Sequence, residues 1–249
     1  MKRTLVLLVL LSAAAHVCAA QGAGAKGRLK LELAAAQPAQ FVGEPVDLTF
    51  TLTNVSDEVV KGSLCMGLGL YNPEVWYRAK GAEKFMLYVG NFPAAADYLC
   101  PPEELAPHAG KSQAGRLLYA VNPGSLVLRE PGAYEFQARF KLNDGYGTTL
   151  ESNVVSVEVR TPPDSEKGML AQWSDPELLD FVQGNVGYAT KSKREAGLRK
   201  AAKFLEEHEG SVYAAAARQG LLDYLEPRAR AKRLTDEEQA IYERLLAQQ

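Results

Sequence analysis

The feature that most constrains this chain is a change in the spacing of its apolar residues at Pro162-Pro163. Before this pair, apolar and polar residues alternate, which is typical of β-strands with one buried and one solvated face. After it, apolar residues recur three to four positions apart, as they do in amphipathic helices. Because Pro-Pro interrupts the ladder of a sheet, we expect a strand domain over residues 28–160 and a helical domain over residues 161–249.

The alternation predicts several short antiparallel strands. It is clearest at residues 29–33, 46–53, 134–142 and 155–159, where the last two are joined by the turn sequence Asn143-Asp144-Gly145. Further strands are predicted at residues 64–70, 75–78, 85–89 and 117–121. Seven or eight short strands without a helical period predict an antiparallel β-sandwich.

Two stretches of the strand domain resemble a known class of module. Residues 43–57 (GEPVDLTFTLTNVSD) resemble the early strands of exported bacterial immunoglobulin-like modules, of the macroglobulin type or the proteinase-inhibitor-like type. Residues 130–136 (EPGAYEF) resemble the corner of such modules, which implies that the Tyr134 hydroxyl bonds to upstream backbone. The position that holds Cys in antibody domains is Phe136 here. The resemblance covers the strand domain only and implies an architecture rather than an activity.

The fold class that we predict is therefore mainly β: an antiparallel immunoglobulin-like β-sandwich followed by a small all-α helical-hairpin domain. Four helix starts are indicated by capping residues, namely Asp175 before Pro176, Ser192 with Glu195, Ser211, and Thr235 with Glu238. We expect Pro227 to end the third helix. Residues 204–214 resemble the junction of a single tetratricopeptide-like hairpin.

The N-terminus has the pattern of a secretory signal peptide over residues 1–20. Lys2 and Arg3 precede an apolar run at residues 5–11, and small residues follow at 17–20. Two alternatives are a retained anchor and a lipoprotein acylated at Cys18. Since no later apolar run approaches the ~20 residues of a membrane span, we predict a secreted or periplasmic protein without an integral membrane segment, with a flexible linker at residues 21–27.

Signal removal changes the cysteine count. Cys18 leaves with the signal, so that Cys65 and Cys100 remain. Two cysteines in an exported chain favour one disulfide bond, and the alternative is a pair of separate buried thiols.

The inventory of reactive residues does not indicate catalysis. Of the 3 histidines, His108 and His208 remain after signal removal, without the spacing of a metal or catalytic site. The two Glu-Glu pairs at residues 103–104 and 206–207 are interpreted as solvated charge. With Lys+Arg at 28 and Asp+Glu at 30, the net charge of −2 does not favour nucleic acid as a partner. We therefore expect no cofactor, no metal and no enzymatic activity.

Two groups of residues are candidates for binding. The aromatic segment between the cysteines supplies a candidate partner surface, since such residues are enriched in interfaces, although they could instead pack in the core: Tyr71, Trp76, Tyr77, Phe92 and Tyr98. One local excess of basic residues supplies a candidate anion patch, although a solvated helix face gives the same pattern: Lys191, Lys193, Arg194, Arg199, Lys200 and Lys203. Asn54-Val55-Ser56 fits a glycosylation sequon.

The function predicted from these features is binding of an unknown protein or cell-surface ligand by an exported, non-enzymatic protein. The first alternative is a proteinase inhibitor or an accessory module of an exported enzyme, suggested by the resemblance and by the Pro-rich loops at residues 100–102 and 107–110. The second alternative is a hydrolase whose site has no recognised motif.

Overall fold

The computed structural model describes residues 27–68, 72–90, 100–120, 125–142, 147–184 and 190–247. The predicted signal peptide, nearly all of the predicted linker and the predicted turn at residues 143–145 lie outside the described residues. No helix within the described residues combines the length and the hydropathy that crossing a bilayer requires.

The described strands all lie between residues 29 and 160. In chain order they are β1 (Leu29–Ala35), β2 (Ala39–Phe41), β3 (Val46–Asn54), β4 (Val60–Gly62), β5 (Glu74–Ala79), β6 (Met86–Leu87), β7 (Glu103–Leu105), β8 (Gly110–Leu117), β9 (Tyr119–Ala120), β10 (Ser125–Leu126), β11 (Gly132–Lys141), β12 (Thr149–Glu151) and β13 (Val155–Arg160). This set is the strand region.

Two main sheets share one apolar core. The smaller sheet has the order β1-β3-β8, and the larger has the order β2-β13-β11-β5-β6, with β12 paired to the far half of β11. Alternate residues of β1, β3 and β11 face inward, so that Phe50, Phe136 and Phe140 are fully buried in a single cluster. Two short ladders, β4-β7 and β9-β10, lie outside these sheets.

The predicted corner is confirmed. The Tyr134 hydroxyl donates to the carbonyl of Glu130 at 3.1 Å, four residues upstream. The predicted long hairpin is present but interrupted, since β12 pairs with residues 139–141 and β13 pairs with residues 132–136 of β11.

Three strand predictions need correction. Residues 64–68 contain no strand, only a single bridge between Gly67 and Asn72, so that the predicted strand at 64–70 is wrong over its described part. The sheets are not wholly antiparallel, because β2 pairs with β13 in parallel. The described strands are more numerous than predicted because several are two- or three-residue ladders, which are too short to show alternation.

Helices occupy the part of the chain after a 3₁₀ turn at Asp164–Glu166. They are α1 (Lys167–Trp173), α2 (Pro176–Val182), α3 (Lys191–Glu207), α4 (Ala214–Arg230) and α5 (Asp236–Ala247), here called the helical region. Described helix and strand residues are about equal in number, so that the predicted order of a strand region followed by a helical region is present while the predicted predominance of strands is only partly supported. After residue 190, the described helices are separated only by residues 208–213 and 231–235.

Capping residues were predicted with mixed success. Asp175 caps α2 by accepting from the amides of Glu177 and Leu178, and Thr235 with Glu238 forms a reciprocal capping box before α5, so that both predictions are confirmed. Ser192 is not the cap of α3, because Thr190 accepts from the Lys193 amide and the helix begins earlier.

Pro227 does not end α4. The helix continues to Arg230, with the proline inside it. The proline lies in the last turn, where its ring interrupts one amide bond without preventing a further turn of helix.

A buried seam joins the two regions through Val42, Gly43, Trp173 and Tyr213. The Trp173 indole N–H donates to the Gly43 carbonyl at 2.7 Å, and the Tyr213 hydroxyl donates to the Val42 carbonyl at 2.8 Å. The two rings stack with centroids 5.1 Å apart. Gly43 has φ of +86°, and a Cβ there would lie 3.0 Å from a methyl carbon of Leu170, so that the tight turn requires glycine.

Candidate functional site

A long excursion of the chain between Cys65 and Cys100 is closed at its base. Gly62 of β4 lies opposite Glu103 of β7, and the two cysteines that follow and precede these strands form a disulfide bond with their Cα atoms 5.8 Å apart. The disulfide predicted from the cysteine count is therefore present in the structure. It fixes both ends of the segment that supplies β5 and β6.

The excursion is anchored at two further places. β5 pairs with β11 over six residues, which makes it part of the larger sheet. Directly after β6, the buried Tyr88 accepts a hydrogen bond from Gln183 of the helical region at 2.6 Å. Burial raises the pKa of Tyr88 well above its ordinary value, so that this hydroxyl stays protonated. The strands of the excursion are thus positioned by both regions.

The outer face of this part of the sheet carries stacked aromatic and guanidinium groups. Trp76 is half-buried, and the Arg139 guanidinium carbon lies 4.5 Å from the centroid of its ring. Glu151 holds Arg139 in place at 3.0 Å. The Trp76 indole N–H donates to Glu74 at 3.2 Å, so that the ring is fixed at two points.

A second stack of the same kind lies beside the first. The Arg78 guanidinium carbon lies 4.3 Å from the centroid of Phe85, and Glu135 binds Arg78 at 2.7 Å. Leu87 lies directly opposite Trp76 in the β5-β6 pair and therefore shares its face. We call the group formed by Trp76, Arg78, Phe85, Leu87 and Arg139 the Trp76 face.

Edge strand β6 places one exposed apolar side chain on the Trp76 face. Leu87 is 39% exposed, whereas Met86 lies opposite Tyr77 and therefore points to the other side of the sheet. Since aromatic residues and Arg are enriched at protein interfaces and Trp and Arg are enriched among hot spots, the composition of this face is typical of a protein-binding surface.

The predicted partner surface is only partly preserved. Trp76 lies on it, but Tyr77 does not, because it is 7% exposed and stacks on Phe136 in the core, with ring centroids 6.2 Å apart. Neighbouring residues of a strand point to opposite faces, which separates Trp76 from Tyr77. The other predicted members, Tyr71, Phe92 and Tyr98, lie outside the described residues.

The Arg and Leu members of the face were missed from the sequence. Arg139 is recognisable as an outward residue of β11 from the alternation alone. Its place over Trp76 depends on the register in which Gln137 lies opposite Trp76, which no local pattern reveals.

Most cations of the predicted anion patch are paired with carboxylates. Four of its six cations lie near carboxylates in separate directions: Lys191 with Glu195, Arg199 with Glu237, Lys200 with Asp175 and Glu177, and Lys203 with Glu207. Arg194 also has a partner, and Lys193 is exposed. These contacts favour the alternative interpretation, a charged helix face that is balanced by neighbouring acids.

Asp175 shows this balance most clearly. Partial burial alone would raise the pKa of its carboxyl group, but the Lys200 ammonium and two amide donors of α2 together hold that pKa below its ordinary value. The carboxylate therefore serves both as helix cap and as ion-pair partner of Lys200. Lys200 is consequently not free to bind a ligand.

The side chain of Asn54, the first residue of the sequon, is used in hydrogen bonds within the fold. Asn54 is fully buried, and its amide donates to the carbonyls of Glu58, Leu105 and Ala106. These bonds tie β3 to the β4-β7 ladder, so that the nitrogen that would carry a glycan is not accessible.

The two histidines and the glutamates of the first Glu-Glu pair each contact a different partner, so that they do not form one site. His108 lies 3.0 Å from Asp57, and His208 lies 2.8 Å from the side-chain oxygen of Gln172. Glu103 pairs with Lys111 and Glu104 with Lys61. Over the part of the chain that the structure describes, no cluster of three or more His, Cys, Asp or Glu residues could hold a metal ion.

No family model and no curated protein matches this chain. Among solved structures, a β-glucosidase from Listeria innocua in complex with isofagomine is 16% identical over 53% of this chain and 16% of its own, with a TM-score of 0.30. The chain thus spans about a sixth of that enzyme. An alkylpurine DNA glycosylase of Pseudomonas fluorescens, bound to DNA with an abasic site analog, is 18% identical over 57% of this chain and 33% of its own, with a TM-score of 0.32.

A smaller neighbour is matched along most of its length. The CARDB domain of a Pyrococcus furiosus protein, solved with di-metal ions, is 12% identical over 53% of this chain and 87% of its own, with a TM-score of 0.28. Such scores do not carry an argument about activity or ligands, so that the functional conclusion depends on the geometry of the described residues.

Proposed function

We propose that this chain is an exported, non-enzymatic binding protein whose immunoglobulin-like strand region captures a partner protein through the Trp76 face. The observation that carries the proposal is the Trp76-Arg139 stack, which presents two hot-spot residue types side by side on a sheet surface. Export agrees with the disulfide between Cys65 and Cys100, which is typical of an oxidising compartment.

The arginines of the Trp76 face are held in place before any partner binds. Glu135 and Glu151 bind them, so that their side chains lose little further freedom on binding. Leu87 adds apolar area at the edge of the sheet. Binding would bury this apolar area together with the Trp76 ring, while the ion pairs remain in place.

The test is site-specific photocrosslinking in the exporting host. A photoreactive amino acid replaces Leu87, and a matched control replaces Leu246, which is 45% exposed on α5 of the helical region. We expect a discrete crosslinked protein at position 87 that is missing at position 246 and is lost when Trp76→Ala is added. Equal crosslinking at both positions, or a product that is insensitive to Trp76→Ala, would contradict the proposal.

A second experiment addresses the non-enzymatic part of the proposal. The pure protein is incubated with peptide, ester and glycan substrates and with a panel of serine, cysteine and metalloproteases. We expect neither turnover nor inhibition. Turnover that is abolished by one side-chain change would favour the hydrolase alternative, and inhibition of a protease would favour the inhibitor alternative.

A further inference from the structure

Each main sheet ends in two outer strands, β1 and β8 in the smaller sheet and β2 and β6 in the larger. In three of these four strands, a polar side chain bonds to main-chain groups that the sheet leaves unpaired: Asn153 to the amide and carbonyl of Leu33 in β1, Glu44 to the amide of Phe41 in β2, and Gln113 to the carbonyl of Ala114 in β8. Such bonds compete with pairing to another chain, which exposed edges otherwise invite.

The fourth outer strand, β6, lacks this kind of protection. The Tyr88 amide donates to the Val75 carbonyl at 2.8 Å, which places Tyr88 and Met86 in the hydrogen-bonded positions of the β5-β6 pair. Because these positions alternate with residues whose N–H and C=O point outward, both main-chain groups of Leu87 lie on the free edge. Among the described residues, no further strand pairs with this edge and no side chain bonds to the main chain of Leu87.

The sequence along this edge also favours strand pairing. Residues 85–89 (FMLYV) contain no charge, no proline and no glycine, and their residue types have a high preference for strands. Leu87 is exposed on the Trp76 face, and Met86, which points to the other side of the sheet, is 55% exposed. An added strand would therefore find free main-chain groups at the edge and apolar side chains on both sides of it.

A second copy of this chain is a poor match for this surface. Two β6 strands that paired around a two-fold axis would continue the two sheets side by side, so that the Trp76 faces would not contact each other. Residues 85–89 alone supply five residues, whereas a stable interface uses about 20–30 residues on each side. A strand that belongs to a larger partner can pair with β6 while the rest of that partner covers the Trp76 face.

We propose that the partner protein adds an extended segment to β6, as a further strand of the larger sheet. The main chain of the segment accepts from the Leu87 amide and donates to the Leu87 carbonyl, and its apolar side chains pack beside Leu87 on one side and Met86 on the other. This inference rests on the proposed function, because the segment belongs to the protein that the Trp76 face captures. It adds the mode of recognition, which is main-chain pairing.

The first test adds position 86 to the photocrosslinking experiment. A partner that contacts only the Trp76 face would crosslink at position 87 alone, because Met86 points to the other side of the sheet. We expect the same partner to crosslink at both positions, since a strand paired with β6 lies beside both side chains. Crosslinking at position 87 without position 86 would overturn strand addition and leave the proposed function intact. Loss of the product at both positions would contradict the proposed function itself.

The second test changes the main chain at the edge. Leu87→Pro removes the outward amide, which the β5-β6 pair does not use, so that β6 should stay paired with β5. Leu87→Val is the matched control, because it keeps the amide and an apolar side chain. We expect crosslinking at position 86 to fall about tenfold or more with proline and less than about twofold with valine. Equal crosslinking in the two variants, with the Tyr88 amide still protected from exchange, would overturn the proposal.

The third test examines the edge without a partner, by amide hydrogen exchange of the purified protein measured by NMR. We expect the Leu87 amide to exchange about tenfold faster or more than the Tyr88 amide, which is bonded to Val75. Equal protection of the two amides would mean that the edge is already filled and would overturn the proposal. Protection at every protein concentration would then assign the edge to another part of the same chain, such as residues 91–99, and protection that grows with concentration would assign it to a second copy.

Discussion

Each of the two tryptophans of this chain lies at the centre of one region of contact, and the two regions differ in kind. Trp173 is fully buried at the seam, where it stacks on Tyr213 and donates to the Gly43 carbonyl. Trp76 is half-buried on an outer sheet face, under Arg139. The seam has its apolar area and its hydrogen bonds already satisfied, whereas the Trp76 face still has apolar area to bury. We therefore attribute a role in stability to the first region and propose a role in binding for the second.

The largest expected effect is on the seam. Trp173→Ala should lower the free energy of unfolding by about 3–5 kcal/mol, because it removes a fully buried ring and leaves a cavity between Tyr213 and Phe204. Trp76→Ala is the matched control and should cost less than about 1 kcal/mol, since its ring is partly solvated. Urea unfolding measures both, and similar costs for the two variants would remove the distinction.

The next effect concerns the base of the excursion that carries the Trp76 face. Replacing Cys65 and Cys100 by Ala together opens a loop with a sequence separation of 35, which should cost about 4 kcal/mol or less in chain entropy. Thermal unfolding measures this loss. Because the excursion supplies β5 and β6, crosslinking at position 87 should fall in the same variant while the helical region keeps its far-UV signal. Full crosslinking in the double variant would show that the disulfide does not position the face.

A smaller effect separates buried from exposed hydrogen bonds. Tyr213→Phe leaves the buried Val42 carbonyl without its donor and should cost about 1–3 kcal/mol. Tyr134→Phe removes a similar bond to the Glu130 carbonyl near the surface, where water can replace it, and should cost less than about 1 kcal/mol. Denaturant unfolding of the two variants checks the order. The reverse order would contradict the role assigned to the seam.

The smallest effect is a pH dependence beside the seam. Burial raises the pKa of Glu44, although the Phe41 amide bound to its carboxylate opposes the shift. A raised folded pKa means that the folded state holds the proton more tightly, so that Glu44 contributes stability at low pH that is lost as pH rises from the ordinary glutamate value through the raised one.

Glu44→Gln keeps a neutral acceptor for the Phe41 amide and should remove this dependence. We therefore expect the variant to equal or slightly exceed the wild type in melting temperature at pH 7, and to lose that advantage near pH 4. Glu58→Gln is the control, because Glu58 forms an ion pair with Arg28 but its side chain is largely exposed. A variant that is less stable than the wild type at pH 7 would contradict the assignment.

The sequence predicted those features whose partners lie nearby in the chain. Asp175 and Thr235 with Glu238 cap helices through residues two to three positions away, and Tyr134 bonds four residues upstream. Strand alternation predicted the inward side chains of β1, β3 and β11 for the same reason. In each case the physical cause is local geometry, which a short window of sequence contains.

The seam and most of the Trp76 face could not be predicted in this way. Trp173 and Gly43 are 130 residues apart, and Tyr213 and Val42 are 171 residues apart, so that no periodicity connects them. Trp76 and Tyr77 are similar in composition but lie on opposite sides of a strand. The alternation of Val75 and Tyr77 against Trp76 could have separated them, whereas the stack with Arg139 required the register of β5 on β11.

The most direct test is photocrosslinking from position 87 in a variant that also carries Trp76→Ala. The yield of the crosslinked partner is measured together with the free energy of unfolding of the same variant. We predict that capture falls about tenfold or more, as expected for truncation of a hot-spot residue, while the free energy of unfolding changes by less than about 1 kcal/mol. Undiminished capture by a stably folded Trp76→Ala variant would contradict it.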